Sequence, residues 1–133
     1  MADLLVVDDD PDLAELLTAF LETEGHSVRV AHDGREGLRL VSQRPPDLVV
    51  LDVEMPVVTG PQMSYELVVR DCGDEQIPIV LLSAVTNLHR TAAQVGTPYF
   101  LGKPFDPDAL SRLVARALVE RHAPSPGQAL SSP

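Results

Sequence analysis

The chain has 133 residues, 44% of them hydrophobic and 23% charged, which suits one packed domain and leaves no room for a second of comparable size. Twenty acids against ten bases give a net charge of −10, which argues against nucleic acid or an anionic membrane as a direct partner, because like charges repel. The single cysteine, Cys72, excludes an internal disulfide and a cysteine-based zinc site and fits a reducing, cytoplasmic setting. No apolar run approaches the roughly 18 residues of a membrane span, and Met1-Ala2-Asp3 lacks the basic start of a secretion signal.

The first apolar run, Leu4-Leu5-Val6-Val7, ends at Asp8 and predicts a strand covered on both faces. Leu13, Leu16, Leu17, Phe20 and Leu21 then recur at helical spacing, after the start signal Asp10-Pro11-Asp12 and before the stop at Gly25. Ser27 to Val30 alternates as an edge strand does, and a short helix is expected over 34–43. Leu48-Val49-Val50-Leu51 before Asp52 predicts a second buried strand, followed by a helix over 61–71. Ile79-Val80-Leu81-Leu82 before Ser83 predicts a third buried strand, and a helix follows over 86–95. Tyr99-Phe100-Leu101, short and preceded by Pro98, reads as another edge strand. Asp106-Pro107-Asp108 opens the last helix, whose apolar face holds Leu110, Leu113, Val114, Ala117 and Leu118.

A β-α unit repeated five times implies an α/β fold: a doubly wound parallel sheet with right-handed crossovers and helices on both faces. The expected domain is 1–122. Residues 123–133, rich in proline and serine, are expected to form a flexible tail or linker stub.

Ligands of such sheets bind outside the carboxyl ends of the strands. The predicted strands end in Asp8-Asp9, Asp52 and Ser83, and the last leads to Lys103. Three carboxylates, a hydroxyl and an ammonium would therefore meet on one rim. Two like charges about 4 Å apart repel by on the order of 4 kcal/mol at an effective dielectric near 20. One lysine cannot offset three acids, whereas a hard divalent cation with oxygen ligands can, and Mg²⁺ suits that role. A metal beside a lysine and a hydroxyl is equipment for phosphoryl transfer. Lys103 is the only lysine among ten basic residues, which suggests selection of a compact point charge over a planar guanidinium.

Taken together, LLVVDDDP, LVVLDVEMPVVTG, IVLLSA and GTPYFLGKPF resemble the receiver domain of two-component response regulators. The resemblance covers residues 3 to about 121 and implies a flavodoxin-like (βα)5 sheet of strand order 2-1-3-4-5. It implies that Asp52 accepts a phosphoryl group from a sensor histidine kinase or phosphotransfer protein. It further implies Asp9, Asp52 and the backbone carbonyl of Glu54 as direct Mg²⁺ ligands, with Asp8 acting through water. Ser83 would bond a phosphoryl oxygen, Lys103 would pair with the phosphoryl group, and Phe100 matches an aromatic switch position. Gly60 fits the turn after strand 3, and Pro104 a proline that the family often joins through a cis bond. The modified domain would switch a face made of helix 4, strand 5 and helix 5 for an effector protein or output domain, with homodimerisation through that face as one use. The stretch from Ser83 to Lys103 is about two residues shorter than the usual pattern, which implies a short or irregular helix 4. Glu54 and Val85 hold the positions that tune the lifetime of the phosphoryl group.

Two other functions compete. Asp8 and Asp10 have the D-x-D spacing of a haloacid-dehalogenase-like phosphatase, although such enzymes need a longer chain and leave an aspartate after strand 3 unexplained. A degenerate receiver serving only as an interaction module is the other, and the complete acid set with Lys103 argues against it. A flavin-type binder would need a Ser/Thr/Gly-rich loop where Asp8, Asp9 and Asp10 stand. His26, His32, His89 and His122 lack ligand spacing and read as surface or structural residues. Tyr65, Tyr99 and Phe20 read as packing, and Cys72, flanked by acids, as inert.

Overall fold

The computed structural model describes residues 2–53, 68–84, 86 and 88–125. The strands are β1 (Asp3–Val7), β2 (Ser27–Ala31), β3 (Leu48–Val53), β4 (Ile79–Ala84) and β5 (Tyr99–Lys103). They form one parallel sheet of order β2-β1-β3-β4-β5, the order implied above. The helices are α1 (Pro11–Thr23), α2 (Gly34–Gln43), a stretch at 68–74 here named α3, α4 (Leu88–Val95) and α5 (Pro107–Glu120). No described helix is long and apolar enough to cross a membrane.

Both proline-bearing starts work as the sequence suggests. Asp10 accepts the N–H groups of Asp12 and Leu13, and Asp106 accepts that of Asp108, so each aspartate satisfies donors that the first helical turn leaves open. Gly25 follows α1 at φ 94°, a backbone conformation that side chains disfavour.

Alternation along the strands divides the apolar side chains between two cores. Leu5, Val7, Val49, Leu51, Ile79 and Leu81 face α2, α3 and α4, with Phe100 packed against their margin. Leu4, Val6, Leu48, Val50, Val80, Leu82 and Tyr99 face α1 and α5. Each fully buried Leu or Val contributes about 1.5–3 kcal/mol, so the sheet is the stable frame on which the rim is mounted.

Three details depart from the sequence reading. The strands at Asp52, Ser83 and Lys103 each run two residues further than their apolar runs, so these polar residues belong to the strands themselves. Leu16, on the apolar face of α1 by its spacing, is 68% exposed and lines a groove between α1 and α5. The stretch after α5 is described to Ser125, and there it lies against the domain, with Pro124 buried and the Ser125 N–H donating to the Gly96 carbonyl at 2.9 Å. α4 is a helix of eight residues, in keeping with the short segment between Ser83 and Lys103. Of the helix expected over 61–71, residues 61–67 lie outside the described residues, as do Glu54, Gly60, Tyr65 and Val85.

Candidate functional site at the strand ends

Register and parity assemble the site. Val7 pairs with Leu51, so the next residues, Asp8 and Asp52, stand side by side at the ends of β1 and β3. Asp52 pairs in turn with Leu82. Asp8, Asp52 and Lys103 share the parity of the α1/α5 side, whereas Ser83 and Phe100 share that of the α4 side. The rim therefore receives an acid pair and a lysine on one side of the sheet, and a hydroxyl above an aromatic on the other.

Lys103 Nζ lies 2.7 Å from Asp52 Oδ1, and the Asp52 side chain is fully buried. A contact this short between opposite charges, away from water, is far stronger than a surface ion pair. Asp8 is also buried, at 1% exposure. Its Oδ1 accepts the Asp10 N–H at 2.9 Å, and it follows Val7 as Asp52 follows Val7's partner Leu51 on the neighbouring strand. Burial pushes the Asp8 carboxyl above its ordinary value, and the charge of Asp9 adds to the rise. The Asp10 N–H, Asp52 and Lys103 act in the opposite direction.

Asp9 is exposed and does not join this contact, while Ser83 is buried at 2% on the neighbouring strand end. Phe100 is half-buried beside α4, with the His89 ring edge-on at 6.2 Å. The Lys103–Pro104 peptide bond is cis.

The donor set can be tested against Mg²⁺. Asp8 Oδ2 is buried with no hydrogen-bond donor reaching it among the described residues, at a strand end next to that of the Asp52 carboxylate. Such an oxygen calls for a proton or a cation. Among the described residues no three His, Cys, Asp or Glu side chains gather to cage a metal by themselves. Asp8 and Asp52 offer two buried carboxylates at the rim, and Mg²⁺, which keeps several waters, is commonly held by one or two carboxylates together with a phosphate.

Two features were missed in the sequence. One is a groove of about 610 Å³ beside Lys103, between α1 and the start of α5, walled by Leu13, Leu16, Phe20, Pro104 and Phe105 among others. Its signal was present, because the α1 stripe carries one leucine more than a buried face needs. The other is the surrounding of Tyr99. Its hydroxyl donates to Glu120 Oε1 at 3.1 Å, and the Arg116 guanidinium lies 5.3 Å from its ring centre. Only the fold brings positions 99, 116 and 120 together.

Comparison with known proteins agrees with this geometry. Residues 4–115 match the family model of the response regulator receiver domain. The chain is 41% identical over 128 residues to Response regulator MprA of Mycolicibacterium vanbaalenii, covering 93% of this chain and 53% of that protein. It is 40% identical over 126 residues to Transcriptional regulatory protein GlrR of Escherichia coli, covering 93% of this chain and 28% of that protein. It thus spans about half the length of the first relative and less of the second. The receiver domain of NtrX from Brucella abortus superposes with a TM-score of 0.75 at 31% identity, over 88% of this chain and 98% of that one. The sheet order, the rim and these matches lead to one conclusion: the chain belongs to the response regulator receiver domains, signalling domains of two-component systems.

Proposed function

We propose that Asp52 accepts a phosphoryl group from a phosphohistidine of a sensor histidine kinase or phosphotransfer protein, in a Mg²⁺-dependent reaction. The observation carrying this reading is the 2.7 Å contact of Lys103 Nζ with the buried Asp52 carboxylate, beside Asp8. An Asp52 oxygen forms the bond to phosphorus as the bond to the donor nitrogen breaks, and the nitrogen keeps the electron pair. Lys103 offsets the charge of Asp52 before transfer and meets a phosphoryl oxygen afterwards. Asp8, Asp9, Asp52 and the Glu54 backbone carbonyl would hold Mg²⁺, with Asp8 acting through water. When bound, the ion offsets the charge of the carboxylates and of the arriving phosphoryl group.

Ser83 then donates its hydroxyl to a phosphoryl oxygen, and Phe100 turns into the space left behind it. That repacking changes the surface of α4, β5 and α5, which an effector protein, an output domain or a second copy reads as a population shift. Hydrolysis of the acyl phosphate in the same site resets the domain, so its chemistry is confined to its own side chain.

The groove beside Lys103 is the natural seat for the protein that delivers the phosphoryl group, since an apolar surface bordering the acceptor can hold a donor histidine in reach. The domain works in the cytoplasm. With a charge of −10, it leaves any contact with DNA to other parts of a regulator.

Incubation with acetyl phosphate tests the reading. The wild-type chain is expected to gain one phosphoryl group with Mg²⁺ and almost none with EDTA. Asp52→Asn is expected to gain none in either case, and equal incorporation by that variant would overturn the assignment.

A further inference from the structure

The chain does not leave the domain where α5 ends. Arg121 closes the helix in the left-handed region, at φ 57° and ψ 39°, which a residue other than glycine holds only against a steric cost. Two contacts fix this turn. Arg121 Nη1 donates to the Asp47 carbonyl at 3.3 Å, and the His122 N–H donates to the Tyr99 hydroxyl at 3.2 Å. The His122 ring also stacks on Tyr99, with centroids 6.4 Å apart.

Beyond the turn the segment crosses to the opposite layer of the molecule. Pro124 is buried, and the Ser125 N–H donates to the Gly96 carbonyl at 2.9 Å. The Pro124 carbonyl faces Gly73 of α3 so closely that a Cβ there would stand 3.1 Å away. Residues 121–125 therefore contact Gly96, which opens the short link between α4 and β5, and the side chain of Tyr99, which opens β5. Phe100, the next residue along β5, packs towards α4.

We propose that residues 121–125 are a C-terminal clasp that holds the α4–β5 link in its unmodified arrangement and loosens when Asp52 is phosphorylated. The proposal rests on the phosphoryl-acceptor reading of Asp52. A repacking of Phe100 must be accommodated by the link that precedes its strand, and the clasp is bonded to Gly96 in that link and to the Tyr99 side chain just beyond it. The coupling is reciprocal: whatever weakens the clasp favours the phosphorylated packing by the same factor.

Amide exchange at Ser125, followed by NMR on the full chain with Mg²⁺ and with or without acetyl phosphate, tests the clasp, with intact mass measured on the same samples. Exchange at Ser125 is expected to speed up by at least about fivefold, the lower end of ordinary coupling between sites, while amides in α1 keep their rates. A phosphoryl mass on the protein with unchanged Ser125 exchange overturns the clasp. Absence of the phosphoryl mass instead overturns the reading of Asp52, and the clasp with it. Gly73→Ala separates the clasp from general stability. Alanine is the better helix former, yet its Cβ crowds the Pro124 carbonyl. Ser125 exchange in the unmodified variant is therefore expected to rise without a fall in the thermal midpoint. Wild-type exchange in that variant also overturns the proposal.

Discussion

Asp8 shows how one buried side chain makes the site depend on pH. Burial raises its carboxyl above the ordinary value, so the folded chain binds that proton more tightly than the unfolded chain does. This group therefore favours the fold below its raised value and opposes it as pH rises through that value. Without Mg²⁺, the thermal midpoint of the wild type is expected to fall relative to Asp8→Asn as pH rises from the ordinary aspartate range through the raised value. On the proposed reading the ionised carboxylates would hold Mg²⁺, so the stabilisation it adds is expected to grow as the Asp8 carboxyl loses its proton. Thermal melts at several pH values check both trends, and a Mg²⁺ increment independent of pH would count against Asp8 as part of the site. Cys72 provides a control remote from this chemistry. Burial, with the Asp71 charge adding to it, pushes its thiol up to about 12, so the folded protein is expected to resist a thiol reagent at neutral pH until it is unfolded. Lys103→Arg should keep the fold but weaken the response to phosphorylation, since a planar fork cannot fill the place of a point charge 2.7 Å from Asp52. Partner binding that responds normally in that variant would contradict this.

At the scale of elements, helix starts were legible and helix faces only partly so. Asp10 and Asp106 could be recognised as caps because the signal is local. Loss of the Asp10 cap in Asp10→Ala is expected to cost about 1 kcal/mol in urea unfolding. Spacing puts Leu16 on the apolar face of α1 with Leu13, Leu17, Phe20 and Leu21, yet it is 68% exposed. Periodicity marks which residues share a face, but the width covered depends on what packs there. Leu16→Ala is accordingly expected to change stability by less than about 0.5 kcal/mol, to slow transfer from a protein phosphodonor, and to leave transfer from acetyl phosphate unchanged. Equal slowing with both donors would argue against the groove as a docking seat. Gly37 of α2 is the opposite case. A Cβ there would stand 3.1 Å from Val7 Cγ2, so Gly37→Ala should destabilise in spite of the better helix propensity, by about 1 kcal/mol.

For the molecule as a whole, the apolar runs specified the sheet because a buried parallel strand leaves a continuous signature in sequence. The rim came with it, since ligands of such sheets bind outside the carboxyl ends of the strands, whereas the strand order was implied by the resemblance of the motifs to receiver domains. What escaped the reading was tertiary. The gathering of Tyr99, Arg116, Glu120 and His122 joins positions that no local pattern links, and the return of the chain to Gly96 depends on contacts made after the helix has ended. The side-chain geometry of the acid pair was likewise hidden. The sequence placed Asp8 and Asp9 together, whereas the pleat turns Asp8 inward against Asp52 and leaves Asp9 exposed. The most direct test of the account is peptide mapping by mass spectrometry after exposure to acetyl phosphate and Mg²⁺. The phosphoryl group is expected on the peptide containing Asp52 and to vanish when the metal is chelated before the donor is added. Modification at another residue, or at Asp52 to the same extent without metal, would contradict it.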